Sequence, residues 1–222
     1  MRPAKSATRG TAHVMRRAAD TLCLDFANTV AWRKSEAREE RLPSASSLLA
    51  WSVGAGVLDA GTAAQLGRRW ETHPGEAAAL YEQAVALREA IYRMLLAGIR
   101  GVPPPADALQ VLNTLLSAAP PRTRIAPSGN TVGWWIGSGR SRSTDLLAPI
   151  AWSAADMLTG PRMSRVRECA DDKGCGWLFL DESRAGTRRW CSMGECGNRA
   201  KARRHYLRRR LHADTADPAA GS

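Results

Sequence analysis

The sequence lacks any apolar run that approaches the roughly 18 residues needed to cross a bilayer. It also lacks an export signal, because the basic N-terminus is followed by Asp20 and Asp25 rather than by a continuous apolar stretch. These two absences argue against a membrane protein and against an exported one. We therefore expect the protein to lie in the cytosol, a compartment in which thiols stay reduced.

A recognisable catalytic set is also missing between residues 20 and 160. No glycine-rich phosphate loop follows a strand there, and no serine, histidine and aspartate can be placed as a hydrolytic triad. Asp25 and Asn28 form the polar pair most open to a functional role, but they could equally cap or crosslink structure. We expect no enzyme, and an enzyme hidden in the N-terminal domain is the weakest alternative considered.

Cysteine is scarce, and four of the five cysteines cluster within 28 residues: Cys169, Cys175, Cys191 and Cys196. Two cysteine pairs joined by a connector long enough for a hairpin are typical of a tetrahedral zinc site. Reduced, independent thiols and disulfides are the alternatives, and a reducing compartment disfavours the disulfides. Cys23 lies far upstream in an apolar stretch, where it is predicted to be a core residue rather than a fifth ligand.

Four thiolates around one Zn²⁺ leave no open position for a water molecule, so we expect one structural zinc ion and no catalysis at the metal. Two positive charges against four negative ones leave a formal charge of −2 on the site. Arg188, Arg189 and Arg199 are close enough in sequence to offset that charge.

The residues around the cysteines predict a small treble-clef-like module. Trp177 to Leu180 reads as a strand leaving the first cysteine pair, and Arg188 to Trp190 reads as the return to the second pair. The sequence turns helical after Cys196, which places this ligand at or just before a helix N-terminus. The helix dipole favours a thiolate there.

The rest of the chain is predicted to be mainly helical with one β-hairpin, which makes the N-terminal domain an α+β fold. The hairpin covers Thr123 to Ala126 and Thr131 to Ile136, and the clearest helix covers Glu76 to Ile99. The predicted organisation is a disordered basic arm over 1–18, a mostly helical domain over 19–159, a zinc finger over 162–211 and a disordered tail over 212–222. Thr159-Gly160-Pro161 is the best candidate for the domain boundary.

The positive charge of the chain is concentrated near its C-terminus. From Arg165 to Leu211 there are 13 Lys and Arg against 6 Asp and Glu, whereas the whole chain carries a net charge of +11. Such an excess in a short segment is the electrostatic pattern of a polyanion-binding surface, and a solubilising surface is the alternative. The candidate nucleic-acid contacts are Arg199, Lys201, Arg203, Arg204 and Arg208 on the predicted helix, with Arg188 and Arg189 before it.

Helical spacing assigns these residues to faces. Lys201, Arg204 and Arg208 share one face of the helix, while Ala200, Leu207 and Leu211 would form a narrow apolar strip packed against the hairpin. A basic, arginine-rich helix of this kind can enter a major groove or lie along phosphates. Polybasic helices also bind RNA or acidic proteins, although the segment lacks an RNA-style aromatic platform.

Three segments of the sequence resemble the CGNR zinc-finger family. They are Trp177-Leu-Phe-Leu-Asp-Glu-Ser183, Arg188-Arg-Trp-Cys-Ser-Met193 and Cys196-Gly-Asn-Arg-Ala-Lys201, the last of which contains the tetrapeptide that names the family. One departure is the first cysteine pair, which has five intervening residues where four is more usual, and Gly174 could absorb the extra residue.

The upstream chain resembles the ABATE domain that accompanies this finger. The matching segments are Leu24-Asp-Phe-Ala-Asn-Thr29, Leu87-Arg-Glu-Ala-Ile-Tyr92 and Ser153-Ala-Ala-Asp-Met-Leu158. The resemblance implies a stress-related transcription regulator of the bacterial cytosol whose finger binds DNA, and which would be associated with the nucleoid. An RNA- or protein-binding zinc module is the alternative. The sequence leaves open the DNA target, any effector of the N-terminal domain, and whether the protein forms a homodimer.

Overall fold

The structure, a computed structural model, describes residues 21–128, 131–134 and 143–215. The predicted basic arm over 1–18 and residues 216–222 of the predicted tail lie outside the described residues. Within them, α-helices cover α1 Leu22–Ala27, α2 Ala45–Gly54, α3 Ala60–Thr72, α4 Pro74–Arg100, α5 Ala106–Ala118, α6 Ala148–Thr159 and α7 Asn198–Thr215. The last helix continues beyond Leu211, where the sequence pattern ended it. None of these helices combines the length and the apolar character needed to cross a membrane.

The described strands form three antiparallel pairs. They are β1 Val30–Ala31 with β2 Glu39–Glu40, β3 Ile125–Ser128 with β4 Thr131–Trp134, and β5 Val166–Glu168 with β6 Leu178–Leu180. A mainly helical fold with a β-hairpin before the finger is therefore confirmed. The first helix ends at Ala27, and residues 30 and 31 are extended because they pair with β2.

Helix α4 is the central element of the N-terminal domain and contacts α1, α2, α3, α5 and α6. It begins with Pro74, whose missing N–H is not needed in the first turn, and it ends at Gly101, which adopts the left-handed conformation (φ 65°). Leu87, Ile91 and Leu95 on its inward stripe are completely buried. The apolar periodicity of this segment therefore predicted both the helix and its buried face.

Strand β6 was predicted correctly, but its partner was not. The expected return strand, Arg188 to Trp190, is not a strand, and β6 pairs instead with β5, which precedes the first cysteine. Glu168 lies opposite Leu178 in this pair, so the turn between the two strands carries Cys169 and Cys175. β5 is only three residues long, and such a strand has too few residues to show an alternating pattern.

The first residues of the finger share a hydrophobic core with the N-terminal helices. Val166, Leu178 and Leu180 are buried in the same cluster as residues of α1 and α4. The side chain of Asn28, at the end of α1, reinforces this contact. Its Nδ2 donates to the carbonyl of Leu178 at 2.8 Å, and its Oδ1 accepts from the Leu178 N–H at 2.9 Å. Asn28 thus links α1 to β6. The hydrophobic core continues across the predicted domain boundary near Gly160.

The shared core predicts the effect of shortening Leu178. Leu178→Ala should lower the free energy of unfolding of the N-terminal helices by about 2–4 kcal/mol, because the removed atoms leave a cavity against α1 and α4. Denaturation followed by far-ultraviolet circular dichroism, which reports these helices, measures the change. Leu109→Ala is the matched control, since Leu109 is 40% exposed. An unchanged helix transition in Leu178→Ala would show that the finger does not contribute to this core.

Candidate metal centre and basic helix

The four clustered cysteines converge on one point. Their Sγ atoms all lie within 4.8 Å of one another, and three of the four residues are buried. Cys191 Sγ is 3.7 Å from Cys175 Sγ and 3.6 Å from Cys196 Sγ. Zn–S bonds of about 2.3 Å in a tetrahedron require sulfur–sulfur distances of roughly 3.8 Å. The donor set and its spacing therefore fit one structural zinc ion with four thiolate ligands, as predicted.

Two segments of the finger, 169–175 and 191–196, present the four ligands. Cys169 and Cys175 lie in the turn that joins β5 to β6, and the N–H of Cys169 donates to the carbonyl of Trp177 at 2.8 Å. Cys196 lies in the helical turn Met193–Gly197, which runs directly into α7. Ser192 caps that turn by accepting from the Glu195 N–H. Cys196 is thus at the N-terminal end of a helical segment, as the sequence indicated.

Without a cation the four sulfurs cannot all carry a negative charge. Hydrogen bonds from Cys175 and Cys191 lower the pKa of Cys169, while contact with Cys169 raises the pKa of Cys191. Burial raises the pKa of Cys196 to about 12. Zinc binds thiolates rather than thiols, so metal binding displaces the thiol protons. Because protons compete with the metal, zinc affinity should fall as the pH falls.

Arg199 lies directly beside the metal centre. Its Nη2 donates to Cys196 Sγ at 2.9 Å and to Asp171 Oδ2 at 2.8 Å, and the Asp171 side chain is fully buried. A guanidinium in this position offsets part of the −2 charge of a zinc-tetrathiolate site. The same contacts fix the first turn of α7 to the turn that carries Cys169 and Cys175.

Arg188 and Arg189 have different surroundings. The half-buried Arg188 donates to the carbonyl oxygens of Trp190 and Cys191 and lies over the Phe179 ring, 4.8 Å from its centroid. Arg189 is exposed and lies over the Trp190 ring, 5.4 Å from its centroid. Arg188 therefore supports the backbone of a metal ligand, whereas the Arg189 side chain faces solvent.

Helix α7 is exposed to solvent after its first turn. Every residue from Lys201 to Arg210 is exposed, including Tyr206 at 58% and Leu207 at 47%. The predicted apolar strip is therefore wrong for Leu207, which does not pack against the hairpin. Ala200 is half-buried, and the side chain of Leu211 lies outside the described residues. The helix packs against the turn Met193–Gly197 that precedes it, and none of its residues from Lys201 to Arg210 is buried.

Two aspartates of the finger determine which face of α7 is turned toward the protein. Arg199 pairs with Asp171, and Arg203 pairs with Asp172 at 2.5 Å. Arg199 and Arg203 are four residues apart and so share a face. At 100° per residue, Arg208 lies about 180° from Arg199. The face of Lys201, Arg204 and Arg208 therefore points away from the finger.

The structure thus divides the seven candidate nucleic-acid contacts into two groups. Three have partners inside the finger: Arg188, Arg199 and Arg203. Four are exposed and form no ion pair within the described part of the chain: Arg189, Lys201, Arg204 and Arg208. The sequence did not single out Asp171 and Asp172, although adjacent acidic residues in a strongly basic segment were a usable signal.

Two known family models match consecutive parts of the chain. The sequence model of the ABATE family, described as “Putative stress-induced transcription regulator”, matches residues 20–161. The sequence model of the CGNR zinc finger matches residues 165–209. Neither description is that of an enzyme. None of the curated proteins matches the chain.

Metal content tests the site. The purified chain should hold one zinc ion, and Cys191→Ser should lose it and unfold the finger, because metal binding supplies on the order of 10 kcal/mol to such modules. Cys23→Ala is the matched control. Cys23 is buried in the N-terminal core, where its backbone N–H donates to Ser153 Oγ, so this variant should keep one zinc ion. Elemental analysis of reduced, chelator-free protein gives the stoichiometry, and a value near zero for the wild type would refute the site.

Proposed function

The chain belongs to the ABATE family and carries a CGNR zinc finger, and we propose that it regulates transcription by binding DNA through the outward face of helix α7. The zinc centre holds the finger together and sets the direction of the helix. The N-terminal domain then acts as the sensor or dimerisation part of a one-component regulator.

The observation that carries the proposal is the outward face of α7. Lys201, Arg204 and Arg208 lie on it, are exposed and have no carboxylate partner among the described residues. Cations at (i, i+4) spacing repel each other, so Arg204 and Arg208 destabilise the isolated helix slightly. A row of phosphates would relieve that repulsion. An unneutralised basic face is therefore better suited to a polyanion than to an intramolecular partner.

The dimensions of α7 favour a duplex groove. Its 18 residues span about 27 Å, and a helix with side chains is roughly 10–12 Å wide, close to the 12 Å width of the DNA major groove. Because the helix is exposed around its circumference from Lys201 to Arg210, it can enter a groove without a clash from its own domain. Arginine outnumbers lysine on it, which suits bidentate contacts with phosphate or guanine.

Salt dependence of binding tests the assignment. Each cation that neutralises a phosphate lowers the slope of log affinity against log salt by roughly 0.9. Arg204→Ala and Arg208→Ala should each reduce the magnitude of the slope by about one and leave the zinc content unchanged. Arg69→Ala is the control, because Arg69 is an exposed arginine of α3 that pairs with Glu76 far from the finger in sequence. Fluorescence anisotropy at three salt concentrations gives the slopes.

The same titrations include single-stranded DNA and RNA as competitors. Tighter binding to RNA than to any DNA duplex would identify RNA, and not DNA, as the ligand. Binding that disappears at physiological salt, and that Arg69→Ala weakens as much as Arg204→Ala does, would show that the basic helix is only a solubilising surface.

Arg188→Ala should behave differently from Arg189→Ala, since only Arg188 contacts the backbone of a zinc ligand. We expect Arg188→Ala to weaken metal retention, and Arg189→Ala to leave it unchanged.

A further inference from the structure

The loop between β1 and β2 of the N-terminal domain lies directly against the zinc centre. The N–H of Arg33 donates to the carbonyl of Cys175 at 3.2 Å, and the N–H of Lys34 donates to the carbonyl of Gly174 at 3.1 Å. A Cβ on Gly174 (φ +95°) would lie 2.8 Å from Ser35 Cβ and 2.9 Å from the Lys34 carbonyl carbon. The first ligand turn is therefore shaped to accept this loop, with no room for a side chain between them.

Two reciprocal stacks join the N-terminal domain to the finger. The Arg199 guanidinium of the finger lies over the ring of Trp32, 4.7 Å from its centroid. The Arg41 guanidinium of the N-terminal domain lies over the ring of Trp177, 5.0 Å from its centroid. Each part of the chain thus supplies one arginine and one tryptophan. The first stack involves the metal centre, because Arg199 is also the donor to Cys196 Sγ.

Trp32 occupies an unfavourable backbone conformation. Among the described residues it is the one non-glycine residue with a positive φ, at 53°. Glycine adopts this conformation without strain, whereas a bulky side chain there is an outlier that the surrounding structure must hold in place. The contacts of the loop and of the indole ring offset that strain. The ring of Trp32 lies over the arginine that donates to a metal ligand.

We propose that the N-terminal domain completes the zinc centre, with Trp32 as a positioning residue that holds the Arg199 guanidinium against the Cys196 thiolate. Trp32 acts through Arg199, whose guanidinium contacts both the Trp32 ring and Cys196 Sγ. A restrained guanidinium keeps its hydrogen bond to the thiolate and so slows release of the metal. Coupling of this kind is reciprocal, and zinc in turn holds the loop in place. The inference does not depend on whether α7 binds DNA.

The rate of zinc release from the full chain tests the proposal. Zinc-loaded protein is mixed with an excess of a chelating dye, and the absorbance of the dye complex gives the rate. Trp32→Ala should release zinc roughly tenfold faster than the wild type. Trp32→Phe should fall between the two, because a phenyl face keeps a weaker cation–π contact. Trp134→Ala should match the wild type, since Trp134 stacks with Arg122 and not with a residue of the finger.

Two further variants separate the ring from the backbone and from general stability. Trp32→Gly relieves the positive φ but removes the ring, so it should release zinc as fast as Trp32→Ala. In an Arg199→Ala background, Trp32→Ala should add little, because the two residues act as one unit. A zinc-release rate for Trp32→Gly equal to that of the wild type would overturn the proposal. Independent, additive effects of Trp32→Ala and Arg199→Ala on that rate would also overturn it. Equal release rates for the wild type and all the Trp32 variants would do the same.

Discussion

The coordination of one Zn²⁺ by four thiolates is the interaction on which the C-terminal part of the structure depends. The buried cluster at the centre of the described finger consists of three of the cysteines and Phe179. The finger therefore has little hydrophobic core of its own. β5, β6 and the first turn of α7 are brought together at the metal. The direction of α7 follows from this, because its first turn begins next to Cys196 and every residue from Lys201 to Arg210 is exposed.

The formal charge of the site is the second constraint, and it separates the arginines of the finger by role. Arg199 lies against a ligand sulfur and a buried aspartate, and Arg188 lies against the backbone of a second ligand. These side chains are committed to the metal centre. Arg204 and Arg208 have no such partner in the described chain, and they are on the side of α7 that faces away from Asp171. A segment that reads as uniformly basic therefore contains cations that contact the metal centre and cations that form no ion pair in the described chain.

The sequence predicted what depends on local spacing and missed what depends on contact between distant segments. The cysteine pattern predicted the zinc ligands, and apolar periodicity predicted the face of α4 that is buried, because both signals lie within a few helical turns or one hairpin. The crosslink between Asn28 and Leu178 joins residues 150 positions apart, and no local pattern encodes it. Leu207 shows the complementary limit. Periodicity placed it on an apolar strip, but a strip is buried only when another element covers it, and none in the described chain does.

We expect the zinc centre, the finger and the N-terminal loop that contacts it to behave as one cooperative unit. Hydrogen–deuterium exchange of the full chain, measured with zinc bound and after chelation, tests this most directly. Removal of zinc should increase exchange in the finger and also at the amides of Arg33 and Lys34, which donate to the carbonyls of Cys175 and Gly174. Residues of α3 should change less, since this helix contacts α2 and α4 rather than the finger. Exchange that rises in the finger alone, with Arg33 and Lys34 as protected as before, would contradict the account.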